Sequence, residues 1–180
     1  MACALYSGYV IDCRDSVGGV EIVYLIENSA LYDASGVSRV LTDGSGTVSG
    51  LTKNTGRKFY KFEVPRGTSM AGDNLTSSAE NGTNFFTHAV EFPMNSRSAA
   101  VRNIVTTLAK NRLTFVCKEG DGTYRMYGKE FGLFLDSTES GTGTALGDRN
   151  GYMLKFSSME REDFLVVPSA IALTLETVGA

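Results

Sequence analysis

A mainly β fold, either an antiparallel β-sandwich or a closed β-barrel with one packed α-helix at about 96–111, is what this sequence predicts. Three observations carry the expectation. Most apolar runs alternate with a period of two, one stretch alone shows a period near 3.6, and 20 glycines among 180 residues punctuate the chain into short segments. The runs number roughly eight to ten, a count that suits a sandwich or a closed barrel.

The helix is carried by Val101, Ile104, Val105 and Leu108, which fall at i, i+3, i+4 and i+7 and share one stripe. Arg97, Arg102, Asn103, Thr106 and Lys110 are left for water or a neighbour. Pro93 and Asn95 suggest its start, and Lys110 and Arg112 suit its negative end. Before it, Phe86, His88, Val90 and Phe92 share one face of a strand. After it, Leu113, Phe115 and Cys117 alternate with Thr114, Val116 and Lys118. Glu119-Gly120-Asp121-Gly122 reverses the chain into a run from Thr123 to Leu135. Further strands are expected from Val20 to Glu27, Val37 to Thr42, Lys58 to Val64, Gly151 to Ser157 and Ala170 to Val178.

With 42% hydrophobic residues and no Pro-rich or charged linker, residues 1–180 read as a single domain able to bury a normal core. A formal net charge of -3 argues against tight nucleic-acid binding, which needs clustered cations to displace phosphate counterions, though DNA passing by without sticking is compatible with it. Met1-Ala2-Cys3-Ala4-Leu5 lacks the basic start and apolar run of a signal peptide, and no segment approaches a membrane helix in length. The expectation is synthesis in a cytoplasm, with Cys3, Cys13 and Cys117 reduced.

A search for chemistry leaves little, and no catalytic, cofactor-binding or metal-binding residue is assigned. His88 is the only histidine, and its alternation with Phe86, Val90 and Phe92 reads as a packed or interface residue rather than a catalytic base. Gly141, Gly143 and Gly147 have the wrong spacing for a dinucleotide loop, and no Gly-Lys-Ser/Thr follows, so Ser137 to Gly147 reads as a mobile turn. Asp148-Arg149-Asn150-Gly151 imitates the middle of a calcium loop, but Leu146 and Ser157 stand where carboxylates belong. The paired carboxylates Asp12 and Asp15, or Glu160 and Glu162, carry no sign of acid-base use.

Residues 66–82, rich in Gly, Ser, Thr and Asn, stand apart. Ordering them costs on the order of 1 kcal/mol each in backbone entropy, whereas burying Met70 and Leu75 returns about 1.5–3 kcal/mol apiece. The segment is therefore expected to lack structure of its own and to project as an arm ordered by a partner, so that deleting Ser69 to Ser78 spares stability and blocks stacking. Unpaired sheet edges invite strand addition from a neighbour, and identical subunits joined head to tail close into rings.

The order of these elements resembles that of tail tube proteins of tailed bacteriophages. It comprises N-terminal strands, the arm at Arg66 to Gly82, the strand Asn84 to Phe92, the helix Ser96 to Asn111, and closing strands through Tyr127-Gly128 and Gly132-Leu133 to Gly151-Tyr152-Met153-Leu154-Lys155-Phe156. The resemblance implies a non-enzymatic virion subunit, made in a bacterial host, whose stacked rings, usually hexameric, surround a DNA channel of polar and often acidic lining. It implies an arm touching an adjacent ring, with Met70, Asp73, Asn74 and Leu75 as contacts. It also implies a helix near a subunit boundary, with His88, Arg97 and Arg102 as interface candidates. Its partners would be other copies of the chain and other tail proteins, with DNA in transit, no cofactor and no membrane. The alternatives are a connector or tail-tip ring protein, a β-sandwich module binding a protein or glycan, and a small hydrolase with an unrecognised site.

Overall fold

The structure, a computed structural model, describes residues 18–179. Two antiparallel sheets face each other. One comprises β1 (Val20–Glu27), β4 (Tyr60–Glu63), β7 (Leu113–Glu119), β8 (Tyr124–Tyr127) and β11 (Leu165–Val167), in the order β11-β8-β7-β1-β4. The other comprises β5 (Met70–Ser78), β6 (Thr83–Met94), β9 (Phe134–Gly141) and β10 (Gly151–Glu160), in the order β5-β6-β10-β9. A hairpin of β2 (Val40–Thr42) and β3 (Val48–Leu51) forms a third, small sheet. The fold is a sandwich with one substantial helix, and no barrel closes among the described residues.

Ring contacts fix the crossing of the two sheets. Along β6, His88 meets Tyr127 of β8 with ring centroids 5.6 Å apart, while Phe92 reaches Phe115 of β7 at 6.5 Å and Phe62 of β4 at 5.9 Å. Four residues of β6 cover about 13 Å, and the three strand spacings from β8 to β4 cover about 14 Å. β6 therefore runs nearly at right angles across the five-stranded sheet, an orthogonal packing. At its centre Phe92 stacks on Phe156, while Phe115 meets Phe92 edge-on and Phe156 at a tilt. A second apolar cluster lies on the outer face of the five-stranded sheet, where Tyr24, Ile26, Val116 and Met126 are covered by Leu31, Val40, Val48, Phe59 and Leu175. β1 and β7 are consequently buried on both faces.

The helix α1 (Ala99–Leu108) starts later than expected. Its cap is Ser98, whose side chain accepts from the Val101 N–H at 3.3 Å, while Pro93 lies within β6 opposite Met153. Proline is tolerated there because β5 pairs only as far as Met70 opposite Glu91, leaving no ladder partner on that side. Val105 and Leu108 enter the core, Val101 packs at its margin, and Ile104 stays 40% exposed.

Three expectations are corrected. Residues 66–82 are not without structure, because Met70 to Ser78 pair residue by residue with β6. The neighbouring strand supplies the hydrogen bonds that local composition does not. Within 137–147, Ser137 to Gly141 belong to β9, paired with β10, and only the remainder is a turn. There, Asp148 Oδ2 accepts from the N–H groups of Thr144 and Ala145 at 2.7 and 2.8 Å. The run from Ala170 to Val178 is no strand. It forms the single-turn α2 (Ser169–Ala172) after Pro168, then turns whose carbonyls at Thr174, Leu175 and Thr177 receive the Lys53 ammonium at 2.7, 3.3 and 2.8 Å. Burial lowers the Lys53 pKa. Asp12, Asp15, Cys3 and Cys13 lie outside the described residues.

Candidate functional site

Two surfaces and one internal latch emerge from this arrangement. The latch holds the loop 128–132 that carries the chain from one sheet to the other. Glu160, 3% exposed, accepts through its carboxylate from the N–H groups of Glu130 at 3.0 Å, Phe131 at 3.1 and 3.2 Å, and Gly132 at 3.1 Å, and from the Ser158 hydroxyl at 3.0 Å. His88 Nδ1 accepts from the Gly128 N–H at 3.1 Å. From the other side, Asn28 Nδ2 donates to Thr114 Oγ1 and to the carbonyls of Gly128 and Lys129. The loop can turn this tightly because Gly128 has φ +72° and packs so closely on Leu133 that a Cβ would fall 2.2 Å from its Cδ1.

His88 is thus enclosed by its own chain, 2% exposed, and does not face a partner, which corrects its place among the interface candidates. Burial lowers its pKa, outweighing the opposing pull of the Glu160 and Asp163 carboxylates and the Glu162 carbonyl. With Nδ1 accepting, the proton of the neutral ring sits on Nε2, where the Glu162 carbonyl exerts its pull without meeting the geometry of a regular hydrogen bond.

The first surface is the β5–β6 hairpin. β6 crosses the body from β4 to β8 and then continues past it, so the residues beyond His88 carry the hairpin tip outward. Leu75 pairs with Phe86 on the face that is buried nearer the body, yet Leu75 is 54% exposed and Phe86 only half-buried. Met70 and Asn74 are exposed on the opposite face. Asp73 is placed differently from these three. It sits opposite His88, half-buried, and its carboxyl is pushed up to about 6 by burial first and then by a hydrogen bond and like charge from Asp163, with Arg125 pulling the other way.

Asp73 yields a pH prediction. Its folded pKa is above the unfolded value, so its stabilisation is complete below about 3.8 and is lost as pH rises through about 6. Asp73→Asn should therefore gain on the native protein between pH 4 and pH 7.5. A relative rise in melting temperature of about 2–4 °C is expected, discounted for partial exposure. His88, Arg125, Tyr127 and Asp163 remain in both proteins, so the titration of His88 in the opposite sense largely cancels in the comparison. An equal difference at both pH values would rule out the carboxyl pairing.

The second surface lies at the far end of β6. Leu25, Tyr60, Phe62, Ile104 and Leu108 line an apolar groove of about 590 Å³ between α1 and β4. Tyr60 is 59% exposed. β4 is an edge strand with no partner along its outer side among the described residues, and the same holds for β5 and β9. Arg97, Arg102, Lys110 and Arg112 on α1 and its flanks are exposed and form no ion pair among the described residues.

No group of three or more His, Cys, Asp or Glu residues able to hold a metal is found among the described residues. The Asp148 carboxylate is occupied by its own turn. Cys117 is buried and its thiol pKa strongly raised. No described helix is long and apolar enough to cross a membrane. Comparison with protein-family models, with curated proteins and with solved structures finds no match to this chain.

Proposed function

We propose that this chain is a non-enzymatic structural subunit of a phage virion, of the tail tube type, that assembles into stacked rings around a channel for DNA. One observation supports it most directly. The outer edges of β4, β5 and β9 lack strand partners among the described residues, and large apolar side chains stand exposed on each: Tyr60 on β4, Met70 and Leu75 on β5, and Phe134 on β9. Rows of unpaired N–H and C=O groups beside apolar surface are satisfied by another chain, and identical copies supply one at no cost in specificity. The formal net charge of -3 suits a channel through which DNA slides without stopping. On this reading the subunit is made in the bacterial host cytoplasm and joins other tail proteins in the virion. A connector or tail-tip ring protein would use the same surfaces.

Size-exclusion chromatography with light scattering, and negative-stain microscopy across rising concentration, test the reading. Rings or tubes on the order of 100 Å across are expected, the size of several sandwich domains around a channel. A chain that stays monomeric at every concentration and binds an oligosaccharide or an unrelated protein would be a binding module instead.

A further inference from the structure

The hairpin tip and the α1–β4 groove occupy opposite ends of the molecule along one strand. β6 passes β4 at Phe92, passes β8 at His88, and carries its tip beyond the body, whereas α1 begins just past the other end of β6 at Met94. The tip, residues 75–86, presents the exposed side chain of Leu75 beside the half-buried Phe86, and its one charged residue is acidic, Glu80. The groove presents Tyr60, Phe62 and Ile104 beside an open strand edge. The adjoining segment, residues 96–112, holds Arg97, Arg102, Lys110 and Arg112 and no acidic residue. Lys61 in the groove wall is already paired with Glu63, so the four cations of residues 96–112 set the sign beside the groove: two grooves repel, two tips share only the like charge of Glu80, and a tip and a groove attract while each covers the other's apolar surface.

We propose that the groove between α1 and β4 is the socket for the β5–β6 hairpin tip of a second copy of this chain. The proposal rests on the self-assembly reading above and adds the contact that effects it. Because plug and socket are different surfaces at opposite ends, the contact is heterologous and repeats head to tail, closing a ring or extending a filament according to the rotation between copies. Leu75 supplies the apolar anchor, the open edge of β4 offers main-chain groups to the incoming hairpin, and the cations of α1 face Glu80.

Disulfide trapping in the assembled full-length chain tests this. In a Cys3→Ser, Cys13→Ser background, one tagged population carries Leu75→Cys and another carries Ile104→Cys, and the two are mixed before oxidation. Cross-linked pairs joining 75 to 104 are expected, with few or none joining 75 to 75 or 104 to 104. Ile104→Asp should raise the concentration needed for assembly at least about tenfold, as burial of a charge in an apolar contact requires. It should lower the melting temperature by only a few degrees, about 2–4 °C, because Ile104 lies at the rim of the core and is 40% exposed. If particles form normally but 75 and 104 do not cross-link, or Ile104→Asp assembles at the native concentration, the socket assignment is wrong and self-assembly stands. If no particles form from the native chain at any concentration, the self-assembly reading fails and this contact fails with it.

Discussion

Replacing Glu160 with Ala is expected to lower the melting temperature by about 10 °C. Its carboxylate, buried, collects three successive backbone N–H groups from residues 130–132 and the Ser158 hydroxyl. Charge-assisted hydrogen bonds are worth roughly twice neutral ones, and donors left without a partner in a buried place cost about 1–3 kcal/mol each. Two of the three N–H groups are only partly buried and regain water in part, so a loss of about 3–5 kcal/mol is the expected sum, and 1 kcal/mol moves a chain of this size by about 2–4 °C. Glu160→Gln keeps one acceptor oxygen but turns an NH2 group toward the N–H donors, and should fall between the two. Differential scanning calorimetry separates these outcomes. A variant within 2 °C of the native protein would mean that loop 128–132 is held by Asn28, Thr114 and His88 alone.

This latch illustrates where reading the sequence stops. Glu160 stood out there only as one of a pair of carboxylates, because its partners are backbone groups 28 to 30 residues away and main-chain donors leave no mark in a side-chain pattern. Gly128 and Gly132, which bracket the loop, were the available signal of a sharp turn. Local pattern succeeded where burial follows a regular period. β1 was expected at the bounds it has, and the four apolar residues of α1 do lie on the side toward the core, with Ile104 left at its rim. The pattern failed where an element borrows its state from a neighbour. The sequence of β5, Met-Ala-Gly-Asp-Asn-Leu-Thr-Ser-Ser, has almost no strand propensity, and β6 alone imposes the extended form. β9 is a similar case, paired to β10 along Ser-Thr-Glu-Ser-Gly. Of the residues expected at an assembly surface, Met70, Asn74, Leu75, Arg97 and Arg102 are exposed, whereas Asp73 is half-buried against Asp163 and His88 is internal.

Deleting Ser69 to Ser78 should now be severely destabilising, the reverse of what composition alone suggested. The deletion removes nine paired residues from β6, takes away Ala71, which packs against the core, and strips His88 and Val90 of the strand beside them. Exposing even about 200 Å² of apolar surface costs on the order of 5 kcal/mol, and the new edge of β6 is a longer unpaired strand than the one it replaces. Circular dichroism melts should show a fall of at least about 10 °C, or aggregation on expression. A truncation melting within 2 °C of the native chain would show that β5 is a detachable arm after all. The same argument dictates how the hairpin's role in assembly must be probed. Removing the strand confounds folding with association, whereas Leu75→Asp alters a side chain that is 54% exposed at the tip and leaves the ladder with β6 intact. Loss of particles with an unchanged melt in that variant assigns the tip to contact between copies, since the fold of each copy does not depend on it.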